Sequence, residues 1–274
     1  LQMATHSILY LIGLFCIVSI SQVSCRKNVL FLAVDDLRPE LESYGHAHMK
    51  TPNFNRLANI SLQFDRAYVQ QAVCSPSRTS LLTGRRPDTT HIYDLVHYWR
   101  NKGGNFTSLP QYFKDNGYLT VGAGKIFHPG TASNHDDPIS WTVPFYHAPA
   151  GKYWDSIRLD ESWLAVPEAM EKEHPLTDTK NTEYIMEHMK SAVAGTQPYF
   201  VALGIHKPHL PFVFPEKFLD YYPLEDVKPA SNQYAPKNMP PIAWSAYGEL
   251  RQYHDIAKLN ASGDIGTTLP TQTQ

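Results

Sequence analysis

Two uninterrupted apolar runs, Asn28 to Val34 (NVLFLAV) and Pro198 to Ile205 (PYFVALGI), constrain this chain more than any other feature. A strand with one wet face alternates apolar and polar residues. A run that is apolar at successive positions fits a strand covered on both faces, as in parallel sheets. Tyr118 to Gly122 reads as a third strand, and Leu62 to Tyr68, which alternates weakly, as a further one. Helical signals lie between them. Thr51-Pro52 caps a short helix through Asn59. Ser75 to Thr83 is closed by Gly84. Ser108-Leu109-Pro110 opens a helix that ends near Asn116-Gly117. Thr182 to Ala194 is a helix with Ile185, Met186, Met189 and Val193 at its apolar positions. Residues 129–176 are rich in Pro, His, Trp and Asp with little periodicity, as in a functional rim or an insertion. Strands alternating with helices predict an α/β fold, a mostly parallel sheet sandwiched by helices.

In such sheets ligands bind beyond the carboxyl ends of the strands. Asp35-Asp36 follows the first strand, Lys125 and His128 follow the one ending at Gly122, and His206 and His209 follow the one ending at Ile205. Two adjacent carboxylates are costly unless a cation neutralises them, and hard oxygens suit Ca²⁺ or Mg²⁺. The bland alternative is a solvated capping turn. Cys74-Ser-Pro-Ser-Arg78 places a thiol just before a helix, whose free N–H groups attract anions, with Arg78 one turn on. A small buried cysteine is the alternative there. Lys125 can serve as a point charge, and His128 as a hydrogen-bond partner or proton carrier. The proline-restricted loop His206-Lys-Pro-His209-Leu-Pro-Phe presents imidazoles rigidly; His209 is assigned to chemistry and His206 to structure.

The compartment follows from the first 25 residues. Ser7 to Ile20 holds 14 residues without a charge. That suits a signal-peptide core of ~7–15 residues better than a bilayer span of ~20. Val23-Ser24-Cys25 supplies the small residues for cleavage, so residues 1–25 read as a signal peptide and no membrane span is expected. Its removal takes Cys16 and Cys25 and leaves Cys74 as the mature chain's cysteine. Sequons at Asn59, Asn105 and Asn260 fit the same secretory route, towards the lysosome or the exterior. With 24 basic against 26 acidic residues there is no positive face for nucleic acid. The 42% apolar content excludes a disordered chain.

Cys74-Ser75-Pro76-Ser77-Arg78 with Leu82-Thr83-Gly84-Arg85 downstream matches the pattern C-x-P-S-R…L-T-G-R and resembles the sulfatase family. Asp35-Asp-Leu-Arg-Pro39, the run from Gln70 to Arg78, the run from Thr83 to Thr90, Lys125-Ile-Phe-His-Pro129 and the run from His206 to Phe212 narrow the resemblance. They are similar to the branch of that family acting on 2-O-sulfated iduronate in heparan and dermatan sulfate. The likeness covers about residues 28–262. It implies an alkaline-phosphatase-like fold. It also implies that Cys74 is oxidised to Cα-formylglycine by the formylglycine-generating enzyme, and that Asp35, Asp36 and the modified position 74 bind Ca²⁺. One hydroxyl of the hydrated aldehyde would attack sulfur and the other would expel sulfate. Arg78 and His128 would hold that diol, Lys125 would neutralise sulfate oxygens, and His209 would protonate the departing sugar oxygen. The substrate would be a sulfated glycosaminoglycan.

The family's later Asp-His pair, which completes the metal shell, does not occur between His209 and Gln274. His135-Asp136-Asp137 is not accepted as its replacement. Residues 26–263 are therefore expected to be an incomplete, N-terminal part of the catalytic domain, with 264–274 an unrelated polar tail. The expectation for this chain by itself is weak or no turnover. Two other readings stand beside it: a non-catalytic secreted protein with residual sulfated-glycan binding, and phosphate-ester hydrolysis on the same fold with unmodified Cys74.

Overall fold

The computed structural model describes residues 26–149, 161–229, 231–232, 234–245 and 248–259. Residues 1–25, expected to be a signal peptide, the sequon at Asn260 and the expected tail 264–274 lie outside the described residues. Three strands, β1 (Val29–Val34), β2 (Leu119–Gly124) and β4 (Tyr199–Ile205), form a parallel sheet in the order β1-β4-β2. A separate parallel pair joins β3 (Trp163–Val166) to β5 (Phe212–Pro215). Five helices matter to the argument: α1 (Pro52–Ala58), α2 (Cys74–Thr83), α3 (Leu109–Asp115), α4 (Glu168–Glu173) and α5 (Thr177–Ala194). The fold class is as expected: a part of an alkaline-phosphatase-like α/β domain with parallel strands.

Each face of the sheet builds its own core. Phe200 and Ala202 of β4 point to one side, where they join Leu82, Ile92, Trp99, Ile126, Phe127 and Trp141. Tyr199, Val201 and Leu203 point to the other and meet Val121, Ala123 and Ile185 of α5. The period-2 alternation of β4 thus feeds two apolar layers, which is why its sequence is apolar throughout. Burying each large side chain contributes about 1.5–3 kcal/mol. Helix α3 is fixed at its start by a capping box in which Ser108 Oγ accepts from Gln111 N at 3.2 Å and Gln111 Oε1 accepts from Ser108 N at 3.4 Å.

Several expectations are corrected. β1 is covered on one face only: Leu30 and Leu32 are 47% and 54% exposed. The cause is its edge position. α5 packs chiefly over β2 and β4. Leu62 to Tyr68 is not a strand, and Leu62, Phe64 and Tyr68 stand largely in solvent. Its alternation finds no partner strand among the described residues. β2 runs on to Gly124, so Lys125 follows it directly. α5 begins at Thr177, five residues before the expected Thr182, which puts Asp178 in its first turn. Met186 and Val193 face outward, while Tyr184, Ile185 and Met189 carry the packing. Residues 129–176, expected to be irregular, contain β3 and α4.

Candidate active site

The carboxyl ends of β1, β4 and β2 carry Asp35, His206 and Lys125, and backbone bonds lock the three together. Asp35 N donates to Ile205 O at 3.0 Å, and Lys125 N donates to Gly204 O at 2.9 Å. Gly204 allows this approach. A Cβ there would stand 2.1 Å from the carbonyl carbon and oxygen of Lys125. The position must therefore be glycine for Lys125 to lie against the end of β4.

Asp35 is 3% exposed and is the charge centre. Arg78 Nη2 bonds its Oδ1 at 2.5 Å, and the Lys125 ammonium bonds its Oδ2. Burial by itself would raise the Asp35 carboxyl, but Arg78 and Lys125 outweigh it and hold the group below its ordinary range. Arg78, 8% exposed, also donates through Nη1 to the carbonyls of Lys125 and Ile126, the latter at 3.0 Å. Its rigid fork therefore ties α2 to the end of β2.

Cys74 is the first residue of α2 and is half-buried. Its Sγ lies 3.9 Å from Asp35 Oδ1, and Lys125 Nζ lies 3.5 Å from Sγ. A ring nitrogen of His209 lies within 4.8 Å of the same sulfur, and the Cys74 thiol raises the imidazole's pKa against the opposing effect of burial. His209 Nδ1 is 2.6 Å from Leu210 O. A carbonyl only accepts, so Nδ1 carries a proton and Nε2 is the nitrogen left to exchange one. Nε2 stands 3.8 Å from Asp36 Oδ2 and 3.9 Å from Glu249 Oε1.

Cys74, Asp35, Arg78, Lys125 and His209 thus converge. Asp36 sits at the rim with its side chain 54% exposed and its backbone left-handed at φ +54°. His128 is half-buried, its Nδ1 3.0 Å from Pro129 O. Burial, with the nearby Lys125 and Arg78 charges, lowers its pKa. Asp136 is engaged elsewhere. Arg100 clasps both its oxygens at 2.7 Å, and Tyr98 and Ser140 donate to it as well. That fixed ion pair accounts for Asp136 within the His135-Asp136-Asp137 run.

The side chains that could hold a divalent cation here are Asp35, Cys74 and His209, and both Asp35 oxygens are also engaged by Arg78 and Lys125. Ligand atoms of Asp35, Cys74 and His209 fall within 4.8 Å of one another, and the Lys125 ammonium rests against both Asp35 and Cys74. The set differs from the expected Asp35, Asp36 and Cys74: His209 joins it, while Asp36 stands at the rim 3.8 Å from His209 Nε2, and a sulfur and an imidazole make the set mixed. Sequence reasoning missed Gly204, Glu249 and Asp178. Only Asp178 left a signal, an acid beside a helix start.

The family model described as Sulfatase matches residues 27–256. Iduronate 2-sulfatase of Homo sapiens is 43% identical over 249 residues, covering 87% of this chain and 45% of that protein. Its Mus musculus counterpart is 42% identical over 271 residues, covering 93% and 49%. A sulfatase of Formosa agariphila is 32% identical over 262 residues, covering 83% and 51%. The chain spans about half the length of these relatives. Among solved structures, the phosphonate monoester hydrolase of Agrobacterium radiobacter superposes with a TM-score of 0.53 at 20% identity, covering 76% of this chain and 47% of that one. The enzyme from Silicibacter pomeroyi gives 0.54 at 20%, covering 74% and 46%. These two likenesses speak for the fold. A buried acid flanked by two cations, with a cysteine at a helix start among them, carries the sequence pattern of one family, and the chain belongs to the sulfatases.

Proposed function

We propose that this site is the core of a sulfuric ester hydrolase of iduronate-2-sulfatase type, taking 2-O-sulfated iduronate in heparan and dermatan sulfate as its substrate class. The observation that carries it is the surroundings of Cys74 Sγ, with Lys125 Nζ at 3.5 Å and a ring nitrogen of His209 within 4.8 Å of the same atom. Two buried cations face one buried carboxylate, which leaves this inner set one positive charge in excess. That is the sign needed to hold a sulfate oxygen in a water-poor site.

Oxidised to formylglycine by the formylglycine-generating enzyme, position 74 would supply a hydrated carbonyl as nucleophile. Ca²⁺, held by Asp35, Asp36 and an oxygen at 74, would supply further positive charge. Lys125 binds a sulfate oxygen. Arg78 fixes Asp35 and the Lys125 backbone, so neither moves as charge develops. His128, its pKa lowered by burial and by Lys125 and Arg78, would hold the diol with Arg78. His209, its Nδ1 occupied by Leu210 O, holds the mobile proton on Nε2 and delivers it to the leaving sugar oxygen. The route to such a substrate is secretory, ending in the lysosome or outside the cell. Among the described residues no helix is long and apolar enough to cross a membrane.

The test is to express the protein through the secretory pathway, read position 74 by peptide mass spectrometry, and compare sulfate release from a 2-O-sulfated iduronide with phosphate release from an aryl phosphate. An aldehyde at 74 with preference for the sulfate ester supports the reading. An intact thiol with phosphate release alone overturns it. Salt-sensitive heparin retention with neither turnover would favour the binding protein instead.

A further inference from the structure

We propose that Asp178 is a positioning residue for His209, holding the loop that presents this imidazole to position 74. The inference rests on the proton-delivery role given to His209 above. An acid in the first turn of a helix ordinarily accepts from that helix's own free N–H groups. Asp178, in the first turn of α5, instead accepts from the other side of the sheet end. Its Oδ1 takes His206 N at 2.9 Å and lies 3.1 Å from His206 Nδ1, and its Oδ2 takes His206 N at 3.0 Å and Lys207 N at 3.0 Å. The side chain is 18% exposed, so water competes little for these bonds.

The contacts form a chain of constraint. α5 is seated on the sheet through Ile185, which packs against Val121 and Val201. Asp178 passes that seating to the backbone at 206 and 207, two residues before His209. Beyond it, Lys207 Nζ donates to His209 O at 3.0 Å and to Pro211 O at 2.6 Å. His209 Nδ1 closes onto Leu210 O. With the backbone held on both sides and Nδ1 occupied, Nε2 faces the rim formed by Asp36 and Glu249, beside Cys74. Without Asp178 the upstream anchor is lost. A misplacement of about 1 Å in a catalytic group can cost about 10²-fold in rate.

The test compares Asp178→Asn, Asp178→Glu, His209→Ala and the Asp178→Asn/His209→Ala double variant on two substrates. A 2-O-sulfated iduronide has a poor leaving group and needs the proton; 4-nitrophenyl sulfate has a good one and does not. Asp178→Asn is expected to lose about 10–100-fold in kcat on the iduronide with KM little changed, and far less on the aryl sulfate. Asp178→Glu should recover part of the loss, and the double variant should be no worse than His209→Ala alone. Equal losses on both substrates, or a double variant whose loss is the product of the two single losses, overturn the proposal. Amide hydrogen exchange at His206 and Lys207 is read in parallel and needs no turnover. It should be faster in Asp178→Asn, and unchanged exchange there also overturns the proposal. If the unsubstituted protein releases no sulfate from either ester, an intact thiol at position 74 marks failure of the functional reading, and the exchange result alone decides whether Asp178 holds the loop.

Discussion

The Cβ that Gly204 lacks would stand 2.1 Å from the backbone carbonyl of Lys125, so the end of β4 and the start of the Lys125 loop touch main chain to main chain. Lys125 reaches Asp35 and Cys74 from that contact. Gly204→Ala is therefore expected to push Lys125 away and to cost about 1–3 kcal/mol, as overpacking does. Urea denaturation gives the stability change. Sulfate release should fall by more than the folded fraction does, because the ammonium is displaced in the molecules that still fold. Unchanged stability would show that the loop yields freely.

Asp35→Asn tests the charge balance. The substitution removes the anion shared by Arg78 and Lys125, which are 8% and 6% exposed. Two buried cations would then lack their carboxylate, a loss worth about 3–5 kcal/mol. Equilibrium unfolding at neutral pH measures it. Arg78→Ala should cost less at Asp35, since Lys125 remains on Oδ2, but it also frees the carbonyls of Lys125 and Ile126. A loss below about 1 kcal/mol for Asp35→Asn would place the site in the solvent-screened class of ion pairs.

The convergence of Asp35, Lys125 and His209 is legible in the sequence because each follows an apolar run, and strand ends in parallel sheets share one edge. The helix opening at Cys74 is legible from Pro76 within and Gly84 beyond, and the chain takes φ +64° at Gly84. Other features depend on distant partners and leave no local mark. Leu62 to Tyr68 alternates like a strand but meets no strand to pair with. β3 and β5 are four residues each and pair across nearly fifty positions. The partners of Asp178 lie 28 and 29 residues away, on the loop after β4. Exposure of Leu30 and Leu32 follows from the edge position of β1 in the described sheet, which no property of β1 encodes.

That exposure makes a prediction with an internal control. Leu32 faces outward at the sheet edge, while its neighbour Phe31 packs inward with its ring centroid 6.2 Å from that of Phe200. Leu32→Thr should leave stability within about 0.5 kcal/mol and reduce self-association, since an apolar edge strand invites pairing with another chain. Phe31→Ala should cost about 3 kcal/mol. Thermal unfolding and sedimentation velocity read the two effects. A large loss for Leu32→Thr would mean that this face is covered in the folded protein.

The last prediction concerns pH. Burial, reinforced by His147, His206 and His128, pushes the His135 imidazole down from 6.5 to about 4. Its ring is stacked on Phe145 at 4.4 Å and 10°, which leaves little room for the hydration a cation would need. In the unfolded chain the same ring takes its proton near pH 6.5. Between pH ~6.5 and ~4 the unfolded state therefore binds a proton that the folded state refuses, and stability falls as pH falls. A shift of this size corresponds to about 3 kcal/mol across the window. His135→Phe keeps the stacking and removes the titration. Its stability relative to the unsubstituted protein should therefore rise by about 2–3 kcal/mol as pH drops from 7 to 4. Urea denaturation at both pH values checks this. A stability difference that stays constant with pH would mean that His135 is protonated in the folded state near its ordinary value, with its ring open to water.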